Sequence, residues 1–192
     1  MARRADDPVQ IERDPADLAE LRELFEGYRQ WLLDHREVTA FDDEILRRGD
    51  ERFLREIAGL PGEYTPPGGA LFLASVGPAA VGCAALRRVS AETAEMKRLF
   101  VRSGYRGKSI GRALVSSTLE RARELGYDRL VLDTLPRMEN AIALYRGMGF
   151  SPTAPYWEHP FPGALFFEYL LAAPGAARGD RPPLVSERGT SP

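Results

Sequence analysis

The 192 residues are 44% hydrophobic and 28% charged, with 26 basic side chains against 28 acidic and a net charge of −2. That balance fits one soluble globular domain with a real core and calls for neither nucleic acid nor a membrane surface as partner. The opening MARRADDPVQ lacks the apolar stretch of a signal peptide, no run of 18 apolar residues exists, and one cysteine, Cys83, excludes an intrachain disulfide, so a cytoplasmic location is expected.

Val9 to Arg13 reads as a short opening strand. From Asp17 onward Leu18, Leu21, Phe25, Tyr28 and Leu32 recur at three- and four-residue spacing, which predicts a helix with one apolar face. A second helix is expected from Asp42 to Ile57. Gly59 to Gly69 is a turn-rich break. Three strands follow, Ala70–Val76, Ala80–Arg88 and Ala94–Val101, with Gly77-Pro78 as the first hairpin turn. Cys83, among apolar neighbours, reads as a small core residue. Strict alternation along the third strand predicts Glu95, Lys97, Leu99 and Val101 on one face and Met96, Arg98 and Phe100 on the other.

Ser109 to Leu125 reads as a helix, with Leu114, Val115, Thr118, Leu119, Ala122 and Leu125 on one side and Gly126 at the C-terminal cap. Arg129–Thr134 is a buried-type strand. Arg137–Met148 is a helix, with Ala141, Leu144, Tyr145 and Met148 on one face. Leu165–Leu171 is the last strand. One domain is expected over residues 1–171. Residues 172–192, rich in Pro, Gly, Ala and charge, are expected to be a disordered tail.

The segment EMKRLFVRSGYRGKSIG, Glu95 to Gly111, says most about chemistry. A strand runs into a basic, glycine-containing turn and then a helix N-terminus. That order brings free backbone N–H groups and positive charge to one place, where a phosphate can sit. Gly107-Lys108-Ser109 mimics the end of a P-loop, but the glycine required five residues earlier is Arg102. A basic turn without a ligand is the plainer alternative. A second run, NAIALYRGMGF, spans Asn140 to Phe150.

Together the two runs resemble the acetyl-coenzyme A site of the GNAT superfamily of N-acetyltransferases. Arg106-Gly107-Lys108-Ser109-Ile110-Gly111 follows that family's [QR]-x-x-G-x-[GA] turn, except that Ser109 stands where glycine is usual. Its hydroxyl can cap the helix. The resemblance implies an α/β (α+β) fold: a mixed, mostly antiparallel sheet of about six to seven strands flanked by about four helices. It implies acetyl-CoA as cosubstrate and no metal. By the same resemblance Arg106, Gly107, Lys108, Ser109, Ile110, Gly111 and Arg112 hold the pyrophosphate. The backbone of Leu99, Phe100 and Val101 faces the pantetheine arm, and a backbone N–H there stabilises the oxyanion. Asn140, Ala143 and Arg146 complete the site, although the spacing from Asn140 to Tyr145 is one residue short. Tyr145 is the implied general acid near the sulfur.

Glu95 stands eleven residues before Arg106, where histone-acetylating members of the superfamily place a general-base glutamate. The chemistry needs such a group. An amine of pKa about 10.4 releases its proton at pH 7 only at a cost of roughly 4–5 kcal/mol. The plainer reading of Glu95 is an exposed cross-strand pair with Arg87 or Arg88. Asp133, at the end of the fifth strand, is a weaker candidate for the base, with a structural role as its plainer reading. The regions where the superfamily binds acceptors hold Trp31, His35, Tyr64, Tyr156, Trp157, Glu158 and His159. Of these, Trp31, Tyr156, Trp157 and His159 are the substrate-binding candidates, a set suited to an amine. The expected acceptor is a small-molecule or peptide amine, and a homodimer is compatible. The expected function is an acetyl-CoA-dependent N-acetyltransferase. A non-catalytic acyl-CoA sensor is the alternative, with no evident use for Glu95 and Tyr145 together.

Overall fold

The computed structural model describes residues 7–34, 43–159, 161 and 163–171. His35, Asp42 and the expected tail of residues 172–192 lie outside them. The elements are β1 (Val9–Arg13), α1 (Ala19–Asp34), α2 (Asp43–Ala58), β2 (Ala70–Val76), β3 (Ala79–Arg88), β4 (Thr93–Val101), α3 (Ile110–Glu124), β5 (Arg129–Thr134), α4 (Glu139–Gly147), β6 (Ser151–Pro152) and β7 (Leu165–Leu170). Boundaries fall within two residues of the periodicity, except at β6, too short to carry a pattern.

The strands form one sheet in the order β1-β2-β3-β4-β5-β7-β6. Every neighbouring pair is antiparallel except β4–β5. Alternate strand residues feed two cores, one on each face of the sheet. On one face Ile110, Leu114, Val115, Leu119 and Ala122 of α3 and Ile142 and Tyr145 of α4 pack on Phe72, Leu86, Met96, Leu130 and Phe167. On the other, Leu21, Leu24 and Phe25 of α1 and Phe53 of α2 pack on Leu71, Leu73, Cys83, Ala85 and Phe100. Each of the buried Leu, Ile, Val, Met and Phe side chains contributes roughly 1.5–3 kcal/mol. Cys83 is the inert core residue expected, its thiol pushed up by burial. Gly126, at φ +78°, closes α3 with its N–H on the Arg123 carbonyl.

Two irregularities in β4 shape the middle of the sheet. Cys83 stands opposite Phe100 and Ala85 opposite Lys97, so Arg98 and Leu99 together face the single residue Ala84. Arg98 takes a positive φ of 59° to accommodate this bulge. The extra residue reverses the alternation. Glu95 therefore shares its face with Phe100, not with Leu99 and Val101 as strict alternation predicts: Met96, Leu99 and Val101 belong to the α3 side and Phe100 to the α1 side. The second irregularity is a split. The β4–β5 ladder runs only from Thr93↔Arg129 to Glu95↔Val131, while both strands continue. Beyond that point the two strands face each other across a gap.

Candidate active site

Three cavities meet at this gap. A groove of about 650 Å³ is lined by Leu99, Phe100 and Val101 of β4, by Tyr105 to Gly107, by Ser109 to Arg112, and by Glu139, Asn140, Ala141 and Leu144 around α4. It shares Tyr28, Leu99, Met138 and Ala141 with a central cavity, whose other walls include Met96, Lys97, Asp133, Thr134 and Tyr145. The central cavity shares Leu32, Lys97, Arg98, Asp133 and His159 with a third cavity beyond it, walled by Leu46, Phe53, Trp157 and Phe161. The groove on one side of the sheet thus runs through the β4–β5 split to a second chamber.

The groove is built for an anion. Gly107 takes φ +77°, a conformation that suits glycine. Ile110, Gly111 and Arg112 form the first turn of α3, where backbone N–H groups lack helical acceptors and the helix end is positive. Gly111 leaves room that a side chain would take: a Cβ there would lie 3.3 Å from Cδ2 of Leu144. Arg106 donates from Nε to the Val101 carbonyl at 3.0 Å and lies 5.4 Å from the Trp31 ring. Ser109 adopts φ +60° and its side chain does not cap α3. The serine accepts the left-handed backbone that glycine would supply and gives no helix cap in return.

Not every sequence candidate reaches the groove. Lys108 lies outside its lining, 5.6 Å from the Tyr105 ring. Ala143 and Arg146 also lie off it, and Arg146 sits over Phe167 at 5.9 Å. At 100° per residue they occupy the side of α4 away from Ala141 and Leu144, which line the groove instead. Trp31, read as an acceptor residue, lines the groove and not the third cavity. Trp157 and His159 do line the third cavity, whereas Tyr156 lines none of the three. Tyr64 is a core residue bonded to Glu56, and Glu158 is exposed.

Glu95 is fully buried, so the exposed pair expected of it is a buried one. Its Oε2 accepts from Arg87 Nε at 2.5 Å. Its Oε1 accepts from the Tyr156 hydroxyl at 2.7 Å and from Lys97 Nζ at 3.3 Å. Glu95 itself lines none of the three cavities. Its neighbours form the link to them: Lys97 Nζ lies 3.4 Å and the Tyr156 hydroxyl 3.5 Å from Oδ1 of Asp133, and Asp133 lines both inner chambers. His159 Nε2 lies 3.4 Å from the other oxygen of Asp133, while His159 Nδ1 accepts from the Phe161 amide at 3.0 Å. Burial alone would raise the pKa of Asp133, but the His159 hydrogen bond and the Lys97 charge outweigh it and hold the carboxyl below its ordinary 3.8.

Tyr145 is 6% exposed and packs on Phe150 and Phe167. Burial, then the neighbouring Tyr28 and Asp133, push its hydroxyl upward, so it keeps its proton. Its hydroxyl has no hydrogen-bond partner among the described residues. Arg98 donates to both oxygens of Glu56 and lies 4.0 Å from the Phe53 ring, which ties α2, a wall of the third cavity, to the β4 bulge. The sequence reading missed Tyr28, Lys97 and Arg98 as cavity residues. Tyr28 was legible only as one apolar position on a helix face. Lys97 keeps the face it shares with Glu95, while strict alternation pairs Arg98 with Met96, a pairing that the bulge breaks.

A model described as the acetyltransferase (GNAT) family matches residues 18–150. An uncharacterized N-acetyltransferase of Schizosaccharomyces pombe is 36% identical over 160 residues, covering 82% of this chain and 91% of that protein. Among solved structures, an acetyltransferase of Streptococcus agalactiae aligns with a TM-score of 0.67 over 84% of this chain and 98% of its own, at 21% identity. An acetyltransferase of Salmonella typhimurium, solved with its cofactor acetyl-CoA, aligns at 0.57 over 87% and 99%, at 20% identity. At such identities the two structures speak for the fold.

Proposed function

The chain belongs to the acetyltransferase (GNAT) family, and on that premise we propose that it transfers the acetyl group of acetyl-CoA directly to the primary amine of a small molecule or peptide. The observation that carries this reading is the passage through the β4–β5 split. A phosphate-bearing donor enters from the groove, an amine enters from the third cavity, and the two meet in the central cavity.

The residues present fit the donor. The amides of Ile110, Gly111 and Arg112, with Arg106, receive the pyrophosphate, and the open φ-positive turn at Gly107 lets it approach the backbone. Leu99, Phe100 and Val101 flank the pantetheine arm, and Ala141 and Leu144 face it across the groove. When bound, the thioester supplies an activated acyl carbon and a thiolate leaving group.

The acceptor ammonium is drawn to Asp133, a carboxylate on the wall shared by both inner chambers. Its proton must leave before nitrogen attacks. Asp133, which faces the amine, takes that proton and passes it to the Tyr156 hydroxyl as the hydroxyl gives its own proton to Glu95. The C–N bond forms, the C–S bond breaks, the extra proton on the attacking nitrogen passes to the departing thiolate to give the free thiol, and Tyr145 stands in the same cavity for the sulfur. A phenol pushed above its usual 10 does not hand its proton fully to a thiolate whose own acid is near 8.5. Tyr145 therefore steadies the thiolate as a hydrogen-bond donor. Thiol release from acetyl-CoA on addition of amines tests the reading. Release that depends on an amine supports it; tight acetyl-CoA binding with no acetylated amine across a broad panel would point to a sensor.

A further inference from the structure

As nitrogen attacks, the acetyl carbonyl oxygen gathers negative charge. One backbone N–H from the edge of β4 is half of what such an oxygen ordinarily receives, since two donors commonly converge on it. A second donor has to reach the central cavity from another element, and α1 carries one.

Tyr28 lines both the groove and the central cavity, so it stands at the junction where the acyl end of the donor arrives. Its ring is held by Phe53 at 5.9 Å and by Phe100 at 5.7 Å, which fixes its direction. Its hydroxyl has no hydrogen-bond partner among the described residues, and the residue borders two cavities, so the donor is open to a ligand. Burial pushes the hydroxyl up to about 12 against the opposing charge of Arg98, so it remains a donor across the working pH range. Tyr145 approaches the same cavity from the opposite core. Two phenols with unspent hydroxyls thus flank the split from its two sides.

We propose that the Tyr28 hydroxyl donates a hydrogen bond to the carbonyl oxygen of the bound acetyl group, as the second oxyanion donor beside the β4 backbone. The assignment rests on the acetyl-transfer reading of the site. It separates the two phenols by atom: Tyr145 serves the sulfur and Tyr28 the oxygen.

The test needs no knowledge of the acceptor. Acetyl-CoA labelled with carbon-13 at the acetyl carbonyl is bound to the wild-type protein and to Tyr28→Phe, and the carbonyl resonance is read by NMR. Phenylalanine keeps the ring that packs on Phe53 and Phe100, so the variant should melt like the wild type. The expected result is a bound wild-type resonance displaced downfield of free acetyl-CoA, with part of that displacement lost in Tyr28→Phe while acetyl-CoA still binds. With any amine that supports turnover, the same variant should lose about 10²–10³ in kcat. An identical bound resonance in the two proteins overturns the assignment. Loss of acetyl-CoA binding in the variant also overturns it, because Tyr28 then seats the cofactor. Failure of the wild type to bind acetyl-CoA defeats the acetyl-transfer reading itself and this assignment with it.

Discussion

The Tyr156 hydroxyl donates to Oε1 of Glu95 at 2.7 Å, from a loop 61 residues further along the chain. With the 3.5 Å approach of the same hydroxyl to Asp133, that bond joins a fully buried carboxylate to the chambers it does not line. Glu95→Gln keeps the shape and removes the proposed base, so kcat should fall by about 10²–10⁴ with the Kd for acetyl-CoA unchanged. Tyr156→Phe keeps the ring against Phe166 and cuts the link. Its kcat should fall at least tenfold, in the range of a positioned acid–base contact. Steady-state kinetics with acetyl-CoA titration checks both. A wild-type rate in Tyr156→Phe would leave Glu95 without its route.

Asp133 sets a stability signature in acid. Its folded pKa is depressed below 3.8, so the stability it adds is fully present above about pH 4 and is lost as pH falls through the lower folded value. Asp133→Asn should melt below the wild type at pH 7, and the two melting temperatures should converge as pH drops below about 4. Parallel curves down to pH 3 would mean that the carboxylate is not held by His159 and Lys97 as described.

Ser109 is a residue out of place. At φ +60° a non-glycine side chain carries a penalty of about 1–2 kcal/mol, and no cap bond repays it. Ser109→Gly should raise stability by about 1 kcal/mol, or a melting shift of roughly 2–4 °C at this size, with acetyl-CoA affinity equal to or tighter than that of the wild type. Differential scanning calorimetry and a binding titration read the two effects.

Gly111 tests the groove from the other wall. A Cβ there meets the flexible end of Leu144 at 3.3 Å, which can yield, so Gly111→Glu should fold. Its carboxylate lies at the helix end proposed to receive the pyrophosphate, and acetyl-CoA binding should disappear. Circular dichroism with a cofactor titration separates this outcome from unfolding.

The legible parts were those that short patterns carry. Helix faces, the Gly77 turn, the basic turn before α3 and Gly126 all follow from local chemistry, and the motifs from Glu95 to Phe150 led to the family. What stayed hidden is long-range or irregular. The bulge at Arg98 breaks the two-residue period on which the face assignments past Lys97 depend. The β4–β5 split depends on where pairing stops, at Glu95↔Val131, and no local residue announces it. Ala143 and Arg146 were carried by motif spacing onto a helix whose rotation turns them away. The partners of Glu95 come from β3, β4 and the loop after β6, so its burial could not be read from strand position alone.

The central claim is that the groove leading into the split holds acetyl-CoA. Thermal denaturation with and without saturating acetyl-CoA, with Mg-ATP as control, tests it most directly. Ligand at 100 times its Kd adds about 2.7 kcal/mol, so a rise of roughly 5–10 °C is expected with acetyl-CoA and none with Mg-ATP. An unchanged melting temperature with acetyl-CoA, or a rise with Mg-ATP alone, would contradict the account.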